Sequence, residues 1–211
     1  MDACEREIKT IDAVLADFPA DVLVGDTVAI SLFFRSELDG SKPVILVNQG
    51  TIATILDDLI IPAIKGLKNE QVIVVAVPVK EGELSESFEN VHAEPFVPFE
   101  HLLPHVDVMV TNGGYGGTQL ALSHGIPLVV AGDTEDKREV ASRVEWSGSG
   151  INLRKHRPSP DEIKNAVKEV LANPQYRQNA QRIQADFAEY DAPTKAVELL
   201  EALVRDELPT H

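Results

Sequence analysis

Hydrophobic positions along this chain fall into two alternating kinds of segment. One kind is a short, unbroken apolar run: residues 20–26 (ADVLVGD), 44–51 (VILVNQGT), 72–77 (VIVVAV), 106–111 (VDVMVT) and 126–132 (IPLVVAG). Runs of this length predict strands buried on both sides. The other kind spaces its apolar residues for a helix. Residues 3–17 place Ile8, Ile11, Val14 and Leu15 at that spacing, and the same reading predicts helices over 27–38, 56–68, 118–125, 135–148, 160–172 and 175–203. Pro62 falls in the first turns of its helix, where the ring is tolerated. The clearest break is LDGSKP (38–43). Residues 78–91 read as a solvated loop, and 92–103 as an extended, Pro-punctuated segment followed by a short helix. Continuous apolar strands alternating with helices predict an α/β fold with a doubly wound, Rossmann-like parallel sheet. Ligands bind such sheets outside the carboxyl ends of the strands.

One such end is unusual. TNGGYGG (111–117) closes the fourth of these apolar runs and carries glycines at 113, 114, 116 and 117. A strand that ends in glycines before a helix exposes free N–H groups to an anion. It can equally be a tight strand–helix turn with no ligand. A dinucleotide fingerprint needs a third glycine at position 119, which is Gln119. No P-loop lysine follows the glycines, and no G-x-S-x-G nucleophile elbow occurs.

Composition narrows the partners. The net charge of −15 argues against a nucleic-acid surface and against anionic membranes. No apolar run reaches the roughly 20 residues of a membrane helix. The start, MDACEREIKTID, is charged and amphipathic, unlike a secretory signal, so a cytoplasmic protein is expected. Cys4 is the single cysteine, which excludes an internal disulfide. His101 and His105 are separated by Pro104 and lack the carboxylate of a metalloprotease pair, so no metal site is expected. His124 is expected at a helix C-terminus beside Gly125, and Trp146 in packing.

Residues 93–153 (AEPFVPFEHLLPHVDVMVTNGGYGGTQLALSHGIPLVVAGDTEDKREVASRVEWSGSGINL), with KPVILVNQGT upstream, resemble the donor-binding half of GT-B glycosyltransferases. The likeness is to the UDP-glycosyltransferase-like enzymes that decorate macrolides and other natural products, and it runs to about residue 203. It implies that a nucleotide-sugar, UDP- or dTDP-linked, brings its diphosphate to the glycines as a substrate, with no further cofactor. By the resemblance, Phe96 stacks on the base and the backbone of Val97 pairs with its edge, while the family's glutamine is here Phe99. Asn112 stands for a phosphate-touching histidine. Gly114, Gly116 and Gly117 present N–H groups to the phosphates. The ribose-binding glutamate falls on Leu120, leaving Gln119 as the nearby substitute. Asp136 and Lys137 occupy the place of an acidic–Gln pair on the sugar hydroxyls, and Gln49, Gly50 and Thr51 form the loop that closes over the phosphates.

The same resemblance divides the chain into residues 1–41, like the end of an acceptor-binding half, and 42–211, the donor-binding domain. Asp26 matches an aspartate that orients a catalytic histidine, yet all six histidines lie at or after position 92. Two roles follow. The chain transfers a hexose to a small hydroxylated acceptor together with a partner chain or as a homodimer, or it is a catalytically retired binding or scaffold protein whose cleft has been reused. A truncated gene product with no native role is a third reading. A homodimer is expected because the last helix presents Ile183, Phe187, Val197, Leu200 and Leu203 at helical spacing.

Overall fold

The structure, a computed structural model, describes residues 41–50, 53–78, 88–93, 97–134 and 136–204. The elements expected over 3–38, and with them Asp26, lie outside the described residues. So do Thr51 and Phe96.

Six parallel strands form one sheet: β1 (Val44–Asn48), β2 (Ile73–Val77), β3 (Val91–Ala93), β4 (Val108–Thr111), β5 (Leu128–Val130) and β6 (Gly150–Asn152), in the order β3-β2-β1-β4-β5-β6. The α/β doubly wound expectation holds. Helix α1 (Ile60–Leu67) follows β1 after a 3-10 turn (Leu56–Asp58). The short α2 (Phe99–Leu102) runs into a second 3-10 turn (Leu103–His105) before β4. Then come α3 (Tyr115–Ser123), α4 (Lys137–Ser147), α5 (Pro160–Ala172), α6 (Pro174–Ala188) and α7 (Ala192–Val204).

Alternation along each strand feeds two cores. Ile45 and Val47 of β1 join Ile60, Ile64 and Leu67 of α1 and Ile163, Val167 and Val170 of α5. Val44 and Leu46 point to the other face, with Ala121 and Leu122 of α3, Ala141 and Val144 of α4 and Ala180 of α6. Burial from both sides is why these strands carry no polar alternation.

Four expectations are corrected. β3 and β6 are strands of three residues that the apolar pattern did not single out. Helix α3 starts at Tyr115 rather than Thr118, so Gly116 and Gly117 sit in its first turn. The helix expected over 175–203 breaks at Glu189–Asp191. There the Asp191 carboxylate accepts the Thr194 N–H at 3.1 Å and its hydroxyl at 2.6 Å, restarting the helix, and Pro193 cannot donate a helical hydrogen bond. Trp146 does not pack: it is 90% exposed, because the buried stripe of α4 is Val140, Ala141 and Val144 and position 146 lies on the opposite side. His124 does close α3, with Nδ1 3.0 Å from the Leu120 carbonyl and Gly125 at φ +66°.

Candidate functional site

Strand order reverses between β1 and β4, the switch point at which open α/β sheets bind ligands. Asn48 pairs in register with Thr111, so both strands end at the same level and their loops meet above it.

The loop after β1 is held from inside. Gln49 is almost fully buried, and its Nε2 donates to the carbonyls of Ala53 (2.8 Å) and Ile55 (3.1 Å). Gly50 has φ +79° and donates its N–H to Asn48 Oδ1 at 2.9 Å. The loop after β4 is braced on it by one side chain. Asn112 Nδ2 donates to the Gln49 carbonyl, while Asn112 Oδ1 accepts the Gly114 N–H at 3.1 Å. Those partners fix which end of the amide is which. Gly114 therefore has its N–H committed inside the loop and does not present it outward.

Two glycines here are packing requirements. A Cβ on Gly113, whose φ is +80°, would lie 2.7 Å from Val130 Cγ1, and a Cβ on Gly132 would lie 2.0 Å from the Asn112 carbonyl oxygen. Gly116 is different: a Cβ there meets nothing within 4 Å. Gly114 is the N-cap residue of α3 and no side chain caps the helix, so the N–H groups of Tyr115, Gly116 and Gly117 have no acceptor within the helix. They sit at the positive end of the helix dipole, beside open space.

The start of α4 borders the same place. A Cβ on Gly113 would be 3.4 Å from the Lys137 carbonyl, Lys137 donates its N–H to the Thr134 carbonyl at 3.1 Å, and its Nζ is 3.2 Å from Thr134 Oγ1. Asp136 is the residue before this helix and does not cap it through its side chain. Gln49, Gly50, Asn112, Gly114 and Lys137 are thus brought together with the first turn of α3. Gln119 lies one turn further along, half-buried, with Nε2 donating to the Tyr115 hydroxyl at 2.6 Å. The Val97 side chain is buried in the second core.

Sequence reasoning passed over Tyr115, Gly113 and Gly132. A glycine directly after an apolar run, as in VVAGD, was the available signal for Gly132. Among the described residues, no three His, Cys, Asp or Glu side chains converge so as to hold a metal ion, and no helix is long and apolar enough to cross a membrane.

Residues 60–203 match the family described as erythromycin biosynthesis protein CIII-like, C-terminal domain. The chain belongs to this family. It is 51% identical over 168 residues to the 4'-demethylrebeccamycin synthase of Lentzea aerocolonigenes, covering 80% of this chain and 40% of that protein. It is 39% identical over 158 residues to UDP-glycosyltransferase 2 of Phaeomoniella chlamydospora, covering 72% of this chain and 35% of that one. The calicheamicin glycosyltransferase CalG4 shares the fold with a TM-score of 0.72 at 25% identity, over 80% of this chain and 45% of that one. This CIII-like chain therefore has the Rossmann-like fold of one half of a GT-B glycosyltransferase, and it spans 40% and 35% of the lengths of these two curated relatives.

Proposed function

We propose that this chain binds a nucleotide-sugar, UDP- or dTDP-linked, at the β1–β4 switch point and acts in transfer of its hexose to a hydroxylated natural product. The observation that carries this is the uncapped first turn of α3 beside the open space at Gly116. A diphosphate fits that combination. Its charge suits the helix dipole, its oxygens accept the N–H groups of Tyr115, Gly116 and Gly117, and no side chain blocks its approach. Asn112 contributes by bracing the phosphate loop against Gln49, with its second amide hydrogen left for the ligand. Asp136 and Lys137, next to that loop, are assigned to the sugar hydroxyls, and Phe96 and Val97 to the base.

Transfer also requires an acceptor hydroxyl and a base that takes its proton as it attacks the anomeric carbon, a contribution of about 10²–10⁴-fold. We assign these to a second chain docked on the exposed apolar face of α7, most simply another copy of this one. Asp26 would orient the partner's base. Calorimetric titration with UDP and with dTDP at millimolar ligand tests the donor site. Saturable heat with either is expected, and flat titrations with both overturn the reading.

A further inference from the structure

Asp58, His156 and Asp133 belong to three different loops, yet one imidazole links them. His156, after β6, places Nε2 3.1 Å from Asp58 Oδ2 and Nδ1 3.7 Å from Asp133 Oδ1. Asp58 ends the 3-10 turn after β1, is nearly buried, and is held by Arg157 Nε at 2.6 Å from Oδ1. Asp133 lies after β5, and its carbonyl accepts from Arg138 at 3.1 Å. Among the described residues, Asp58 and Asp133 are the charged groups paired with this ring, with Arg157 sharing Asp58.

These contacts close a circuit around the mouth of the sheet. Asn112 donates to the Gln49 carbonyl. Gln49 Nε2 and the Asp58 N–H both donate to the Ile55 carbonyl, each at 3.1 Å. Asp58 pairs with His156, and His156 with Asp133. Next to Asp133 is Gly132, which the Asn112 carbonyl approaches so closely that no Cβ would fit. Loops after β1, β4, β5 and β6 are thereby joined, and the pair Asp136–Lys137 hangs from the β5 loop.

We infer that His156 is a positioning residue of the donor site: bridging Asp58 and Asp133, it sets the β5 loop that carries Asp136 and Lys137 against the phosphate loop. This rests on the proposed nucleotide-sugar site. Nε2 lies within hydrogen-bond distance of Asp58, and Nδ1 lies within ion-pairing reach of Asp133, so one side chain ties the turn after β1 to the loop after β5.

The test uses the full chain and three variants: His156→Asn, which cannot span both carboxylates, His156→Arg, which keeps a permanent cation, and Asp133→Asn. Hydrogen exchange of the amides at 131–134, measured without ligand at one pH, reads the loop directly. His156→Asn and Asp133→Asn should lose protection severalfold relative to the parent, and His156→Arg should keep it. UDP and dTDP titrations on the same samples should show His156→Asn binding about 3- to 5-fold more weakly than the parent, the effect of losing one partly exposed charged contact, with His156→Arg restoring affinity. Protection that is equal in all four proteins, or that His156→Arg loses as fully as His156→Asn, overturns the inference. Absence of nucleotide binding in every protein overturns the proposed function alone, because the exchange result is read without ligand.

Discussion

At the scale of single residues, Gly116 and Asn112 separate folding from binding. Gly116 has an ordinary helical backbone and open space around its Cβ position, so Gly116→Val should fold like the parent. Nucleotide binding should then be lost, because the branched side chain occupies the space left for the diphosphate. A thermal melt together with a calorimetric titration checks both halves, and an unchanged affinity makes the loop a turn and nothing more. Asn112→Ala should behave differently. It removes two hydrogen bonds that tie the β4 loop to Gln49 and to Gly114, costing about 1–3 kcal/mol of stability and weakening binding as well. A denaturant midpoint that does not move would show that the brace carries nothing. Much of this was legible from the string TNGGYGG: a strand end, crowded glycines and an amide. Which glycine faces the ligand and which faces Val130 or Asn112 was not legible, because a glycine has the same one-letter code whether space is needed by a ligand or by a neighbour.

The element with the clearest electrostatic signature is α5. Ser159 and Glu162 form a reciprocal capping box: Ser159 Oγ accepts the Glu162 N–H, and the Glu162 carboxylate accepts the Ser159 N–H at 2.9 Å. Lys155, which hydrogen-bonds the same carboxylate, and the Ser159 backbone and hydroxyl donors hold the Glu162 pKa down to about 2. A carboxyl depressed on folding stabilises the protein above its unfolded value, near 4.3, and that contribution is lost as pH falls through the folded value. We therefore expect the Glu162 side chain to titrate near pH 2 by NMR in the folded protein. The cap should loosen between about pH 4 and 2, whereas Glu162→Gln should show no such acid step. Ser159→Ala should cost about 1 kcal/mol at neutral pH, read from a denaturant midpoint. Apolar spacing gave the helix from residue 160, and the structure adds the capping box that starts it. The restart of α7 at Asp191 was concealed, since residues 175–203 carry one helical periodicity through a break set by an aspartate side chain and a proline. β6 was missed for a related reason: Gly-Ile-Asn has no run to read and becomes a strand by pairing with Leu128–Val130.

For the whole molecule, the exposed side of α7 decides what to measure. Val197 (55%), Leu200 (64%) and Leu203 (57%) lie exposed at helical spacing, with Leu199 beside them. Monomers rarely leave contiguous apolar patches beyond a few hundred Å² open to water. We expect a two-fold homodimer across this face, detectable by light scattering after size exclusion at tens of micromolar. Leu200→Asp with Leu203→Asp should convert it to a monomer without lowering its melting temperature in dilute solution. A monomeric parent would remove α7 as the docking face. Transfer assays belong to the same scale, since donor binding is local to one chain whereas the acceptor and the base are assigned to its partner.

Periodicity and run length by themselves determined the class of fold, because strands covered on both faces must be apolar throughout and helices covered on one side must be striped. They also determined that a glycine-rich turn ends the strand now called β4, and the family resemblance named the ligand to expect there. Only the tertiary structure decided the strand order that sets β1 beside β4, and so places Gln49 under Asn112 across 63 positions. It alone brought Asp58 and Arg157 together across 99 positions, with His156 between Asp58 and Asp133. Such contacts form because loops at the same end of a parallel sheet converge in space however far apart they lie along the chain, and no local pattern of hydrophobic and polar residues records that convergence.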